Sequence, residues 1–189
     1  MTPQEAAQAV KRKLQELERF RREDVPEIIG TEAVRHFNQS FVNEGFTDKS
    51  LKKWPDVKRR DPSSSWYGFS LGANSQNPNV DTRHASSKKD KNKKKPGNTN
   101  FSPTRAKDKI LNGETMELKN SITYVVKSDR VTVLSNKPYA SVHQFGEPAK
   151  IFGRKTFTMK ARPFIGKSEI MMNKIYTKIE KGIQNIKEK

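Results

Sequence analysis

Lys137-Pro138-Tyr139-Ala140-Ser141-Val142-His143-Gln144-Phe145-Gly146 and, after a basic insert, Ala161-Arg162-Pro163-Phe164-Ile165-Gly166 are the stretches on which the reading of this chain turns. The first is a short apolar turn of helix closed by Gly146, because glycine accepts the left-handed conformation that ends a helix. The second begins as a strand end. Arg162 precedes a proline and is biased to extended geometry, and Pro163 and Gly166 confine the backbone on either side of Phe164. These are packing and turn residues, with no reacting group among them.

Working outward, Thr123-Tyr124-Val125-Val126-Lys127 and Arg130-Val131-Thr132-Val133-Leu134-Ser135 are β-rich runs joined by Ser128-Asp129, which predicts a hairpin. Upstream of it, Ile110 and Leu111 close a short helix before an Asn112-Gly113 turn, and Leu118 and Ile122 lead into the first strand. A second strand pair is expected at Ile151-Phe152 and 156–160, turning at Gly153-Arg154. The last element is a helix with Ser168 as N-cap, since Met172, Ile175, Ile179, Ile183 and Ile186 recur at helical spacing. Lys181, Lys187 and Lys189 suit its C-terminal end.

At the other end, Thr2 is a candidate N-cap, Pro3 fits the first helical position and Glu5 stands where a capping-box acid reaches back. This helix runs to about Asp24. Ala6, Val10, Leu14 and Leu17 form a narrow apolar stripe on it, so one side is expected to pack and the rest to be wet. A second helix opens at Pro26 and shows Ile29, Ala33, Phe37 and Phe41 on one face before Gly45 stops it. From Thr47 to about Lys109 helical periodicity disappears, and Ser, Asn, Pro, Gly and Lys surround Trp54, Trp66, Tyr67 and Phe69. The expectation is a single domain, 1–189, with an N-terminal helical part (1–46), a long basic loop or insertion (47–109), and a sheet with a C-terminal helix (110–189).

Composition agrees with a core that occupies only part of the chain. The 189 residues are 32% hydrophobic, and the mean hydropathy of −0.94 is low for a compact globule. The net charge of +17 is uneven: −2 over 1–48, +11 over 49–109, 0 over 110–136 and +8 over 137–189. One basic middle and one basic end imply a polyanionic neighbour, with nucleic acid the first candidate and a solvated charged surface the plain alternative. Cysteine is absent, which excludes a disulfide framework, thiolate metal sites and a cysteine nucleophile. No apolar run approaches the roughly 20 residues that span a bilayer. The N-terminus lacks signal-peptide design, so a soluble protein made in the cytoplasm is expected.

Catalytic chemistry finds no foothold. His36, His84 and His143 are the three histidines, and none shows metal-ligand spacing or a nearby nucleophile with an orienting group. His143 is assigned to structural hydrogen bonding or a subunit contact. No glycine-rich phosphate loop occurs, and neither a cofactor nor a metal is expected. The remaining chemical feature is the run Lys88, Lys89, Lys91, Lys93, Lys94 and Lys95, six lysines in eight positions, which neutralises phosphate charge without reading sequence. Trp54, Trp66, Tyr67 and Phe69 are placed either to stack on single-stranded bases or to anchor the loop to its own protein.

In order along the chain come Phe37, Phe41 and Glu44, then Trp54-Pro55, Ile110-Leu111, Leu118-x-x-Ser121-Ile122, the Pro-Tyr-Ala to His-Gln-Phe-Gly segment and the Arg-Pro-Phe-Ile-Gly turn before a final helix. This order resembles the phage virion morphogenesis family, the neck or tail-completion proteins of tailed phages. Two departures stand out. Thr115-Met116 replaces the family's Thr-Gly, with glycine earlier at Gly113, and the stretch between Trp66 and Arg105 is longer than usual.

The resemblance implies an α+β fold, a small twisted antiparallel sheet flanked by helices. It also implies a non-enzymatic homo-oligomeric ring at the head-tail junction, between portal or adaptor and tail proteins, in the virion neck after assembly in the host cytoplasm. Tyr139, His143, Gln144, Phe145, Arg162 and Phe164 are then candidates to shape the core and subunit contact. The six lysines would meet either DNA in the channel, non-specifically, or an acidic partner ring. The alternative from another class is a nucleic-acid-binding accessory protein that uses the lysine run as its arm.

Overall fold

The computed structural model describes residues 2–64, 66–68, 103–112, 115–128, 130–151 and 155–188. The class is α+β, and among the described residues the antiparallel strands form three separate two-stranded hairpins. The chain divides into two compact units, residues 1–54 with 118–189, and residues 55–117.

The first unit opens with helix α1 (Pro3–Arg19), whose N-terminus is the capping box expected: Thr2 Oγ1 accepts from Glu5 N, and the Glu5 carboxylate accepts from Thr2 N at 2.7 Å. A π-helical turn, Phe20–Asp24, joins it without a break to α2 (Val25–Asn43). The stripe on α1 is a correction. No residue of α1 is buried, and Val10 and Leu14 are each 58% exposed. The helix is held at its far end, where the Phe20 ring occupies the space beside Gly182 and Lys13 Nζ donates to the Lys187 carbonyl at 2.6 Å.

In α2 the predicted face is inward, with Ala33, Phe37 and Phe41 buried. The stop is at Glu44, which takes the left-handed conformation (φ 53°), and not at Gly45. Gly45 is needed one step later. It begins strand β1 (Gly45–Thr47), which pairs with β2 (Leu51–Lys53), and a Cβ there would collide with the Lys52 carbonyl. A hairpin thus occupies part of the stretch expected to be irregular.

Beyond the 117 boundary, the short helix α4 (Glu117–Asn120) leads into β3 (Ile122–Lys127) and β4 (Arg130–Ser135), paired from Ile122↔Ser135 to Lys127↔Arg130 as the sequence predicts. This hairpin packs on α2, with Ile122 buried and the alternate residues Val125 and Leu134 exposed. Strands β5 (Pro148–Ile151) and β6 (Lys155–Thr158) form the second predicted pair, shifted a few residues towards the N-terminus. The turn residues Gly153 and Arg154 lie outside the described residues. Helix α5 (Glu169–Glu188) closes the unit. Ser168 is its N-cap, accepting from Met171 N at 3.2 Å, and Met171 is buried where Met172 was expected, together with Ile175 and Ile186.

In the second unit, helix α3 is the four residues Pro103–Ala106. Ile110 and Leu111 follow it in a turn, with Leu111 at φ 60°, and so do not close a helix. Ala106 and Ile110 are buried. Arginines organise the backbone here: Arg59 Nη2 donates to the Asp108 and Lys109 carbonyls at 2.8 Å, and Arg60 Nη2 donates to Asp108 O at 2.8 Å. Carbonyls left over after a short helix are thereby satisfied. Lys88, Lys89, Lys91, Lys93, Lys94 and Lys95, with Phe69, His84 and Gly113, lie outside the described residues.

Candidate functional site

The opening stretch folds as a wide turn tied to the segment that follows β6. Residues 140–141 are helical, Val142–Gly146 is a π-helical turn, and Gly146 ends it at φ 77°. A side chain at Gly146 would be strained by that φ, and its Cβ would lie 2.8 Å from Met159 O and Ala161 N. Single π turns of this kind recur at functional sites.

Gln144 is the fastener. Its Oε1 accepts from Phe164 N at 2.9 Å and Ile165 N at 3.1 Å, while its Nε2 donates to Ile165 O at 2.6 Å. One side-chain amide thus satisfies three backbone groups that no sheet partner serves. A fourth bond runs between the main chains, from Arg162 N to His143 O at 2.7 Å. Pinned in this way, Phe164 is driven fully into the core, where its ring lies 5.3 Å from that of Phe41. Trp54 completes the cluster, edge-on to Phe41 at 5.6 Å and donating Nε1–H to the Pro163 carbonyl at 2.6 Å.

The six candidate contact residues therefore separate by depth. Arg162 and Phe164 are buried. His143 and Gln144 are half-buried, and Tyr139, 38% exposed, stands edge-on to His143 with ring centroids 6.0 Å apart. Phe145 is 70% exposed although its neighbours are tied down on both sides. A large apolar ring thus faces outward from a turn whose neighbouring residues are hydrogen-bonded.

His143 is held neutral. Burial, and secondly the Arg162 guanidinium, push its pKa down to about 4, since both disfavour the imidazolium. Its Nδ1 is buried with no hydrogen-bond partner among the described residues. Among those same residues, no group of three or more His, Cys, Asp or Glu side chains comes together, and no helix is long and apolar enough to cross a membrane.

Of the two duties expected for Trp54, anchoring to its own protein is the one observed, through a partner 109 residues away that no local pattern could name. A groove between α2 and α5, rimmed by Arg35, Lys174 and Lys181, escaped sequence reading. The 174, 178, 181 lysine spacing on the last helix was the available signal.

The sequence model of the phage virion morphogenesis family matches residues 73–184, more than half of the chain. The match contains the β3/β4 hairpin, the Gln144 fastener and most of α5. The landmarks Phe37, Phe41, Glu44 and Trp54-Pro55 precede it, and two of them meet the matched part, Phe41 at Phe164 and Trp54 at Pro163. No curated protein and no solved structure is significantly similar to the chain.

Proposed function

This chain belongs to the phage virion morphogenesis family, and from that premise we propose that it is a neck or tail-completion subunit, forming a homo-oligomeric ring between portal complex and tail. Family membership supplies the role in phage virion assembly. The observation that carries the finer reading is Phe145, exposed on a turn that Gln144 and Gly146 make rigid. A ring built from head-to-tail contacts needs two different patches on each copy. The chain offers Phe145 with Tyr139 on one element and the uncovered Val10 and Leu14 on another.

In this reading Tyr139 and Phe145 touch the neighbouring copy, while His143, Gln144, Arg162 and Phe164 set the shape of that surface from behind. No bond is made or broken. The basic stretch, +11 over residues 49–109, meets a polyanion in the conduit: an acidic neighbouring ring or, without sequence preference, DNA.

The test is the mass of the purified protein and its position and copy number in the intact particle. A closed oligomer at the head-tail junction, lost when Phe145 becomes serine, is expected. A protein that stays monomeric and is missing from virions overturns the reading. The accessory nucleic-acid-binding alternative, favoured by the lysine run, fails if binding survives deletion of residues 88–95 or does not weaken with added salt.

A further inference from the structure

The groove between α2 and α5 encloses about 620 Å³. On its α2 side Glu32 is buried, and its carboxylate accepts from Lys178 Nζ at 2.5 Å, with Arg35 Nη1 at 3.9 Å. A buried carboxylate must be compensated, and Lys178 does this from the α5 side. Four cations, Arg35, Lys174, Lys178 and Lys181, thus line the groove with that one carboxylate, and no other acid lines it among the described residues. The Arg35 side chain is 78% exposed. Lys174 and Lys181 are exposed and make no ion pair with any described residue.

A merely solvated helix face intersperses the two signs of charge. Here Glu169, Glu180 and Glu188 of α5 all lie outside the groove lining, whereas three of its four lysines, Lys174, Lys178 and Lys181, lie within it and Lys187 does not. The cavity selects among anions. Directly packed helices have axes about 8–10 Å apart, too narrow a cleft to seat a duplex. Single strands are held by exposed aromatic rings, and among the described residues no Phe, Tyr or Trp lines this groove. Carboxylates fit better: the Arg35 guanidinium offers a two-pronged donor, and Lys174 and Lys181, seven residues apart on one helix, are spaced by about 10 Å.

We propose that the α2/α5 groove is a docking site for an acidic segment of a partner protein, its carboxylates held by Arg35, Lys174 and Lys181 above the Glu32–Lys178 pair. This goes beyond ring formation, and it assigns a second basic feature, built from residues other than the lysine run at 88–95.

The full chain is used, with Lys88, Lys89, Lys91, Lys93, Lys94 and Lys95 replaced by serine so that this run does not capture the probe. It is titrated into fluorescein-labelled decaglutamate at low salt and followed by anisotropy. Lys174→Glu combined with Lys181→Glu is expected to weaken binding about tenfold or more. Lys174→Arg combined with Lys181→Arg keeps the charges and is expected to stay within about twofold. Because all four substitutions are at exposed positions, the fold is retained, which circular dichroism verifies.

Unchanged affinity in the charge-reversed protein overturns the proposal. So does an oligothymidylate of equal length that binds more tightly than decaglutamate through the same two lysines, since the groove would then serve nucleic acid. The readout does not involve the particle. Absence from virions with groove-dependent peptide binding defeats only the ring reading, and rings without such binding defeat only this one.

Discussion

Helix α1 and the turn at residues 138–146 are both strongly marked in the sequence, and the structure uses them in opposite ways. Helix α1 has a complete capping box and a regular apolar stripe, yet buries none of its residues. The turn is short and irregular, yet through Gln144 it positions Phe164, one of the most buried side chains of the molecule. Local signals stabilise a helix; only a partner decides whether its face is core. On that stripe Ala6 and Leu17 are half-buried and Val10 and Leu14 are exposed. The comparison predicts that substitutions in the turn cost stability, while substitutions on α1 cost assembly.

The largest effect belongs at the centre of the aromatic cluster. Phe164→Ala removes a ring packed on Phe41 and should destabilise the fold by about 4 kcal/mol, read as a shift in urea midpoint with unchanged slope. A loss below about 1 kcal/mol would mean that the turn anchors nothing and would erase the contrast with α1. Gln144→Leu comes next. The volume is kept, but two N–H groups and one carbonyl at residues 164–165 lose their partner, and about 3 kcal/mol is expected from partly buried groups left unsatisfied. Gln144→Glu retains the acceptor for both N–H groups, loses the donor to Ile165 O and should cost less than Gln144→Leu.

The unequal legibility of the two regions has a physical origin. The α1 cap lies within four positions, Thr2 to Glu5, and could be read directly, as could the β3/β4 hairpin, whose β-rich strands pair six residues against six. The bonds of Gln144 cross 20 and 21 residues and that of Trp54 crosses 109; local pattern has no access to such pairings. Hairpin β1/β2 was invisible for another reason, since Leu51, Lys52 and Lys53 are all exposed and show no alternation. At the end of α2 two residues competed for one role. Gly45 is the better left-handed residue, but the close approach of Lys52 claims it, and Glu44 takes the strained position. The family resemblance reached the turn because it carried residue order, which already contains the long-range pairing that spacing alone omits.

His143 tests the same region by pH. Its pKa of about 4 in the folded chain lies below the ordinary 6.5, so the unfolded chain binds the proton first as pH falls. The stability due to the neutral, buried ring is present above 6.5 and lost on going down to about 4, by on the order of 3 kcal/mol over the whole window. His143→Gln has no such group, and its stability should fall less steeply between those limits in parallel urea titrations. Equal slopes for the two proteins would show that the ring is solvated and that the turn is looser than Gln144 implies.

The smallest effect on stability is expected on α1, and it is the one that most sharpens the contrast. Val10→Ser with Leu14→Ser alters side chains that are already 58% exposed, so the melting free energy should stay within about 0.5 kcal/mol of the parent. If the stripe meets a neighbouring copy, the same double variant should nevertheless dissociate the oligomer, because each lost apolar contact is counted once per interface around a closed ring. Analytical ultracentrifugation across a concentration series separates the outcomes. An unchanged mass with unchanged stability would make Val10 and Leu14 an ordinary wet surface, whereas a large loss of stability in the monomer would mean that these two side chains pack within their own chain.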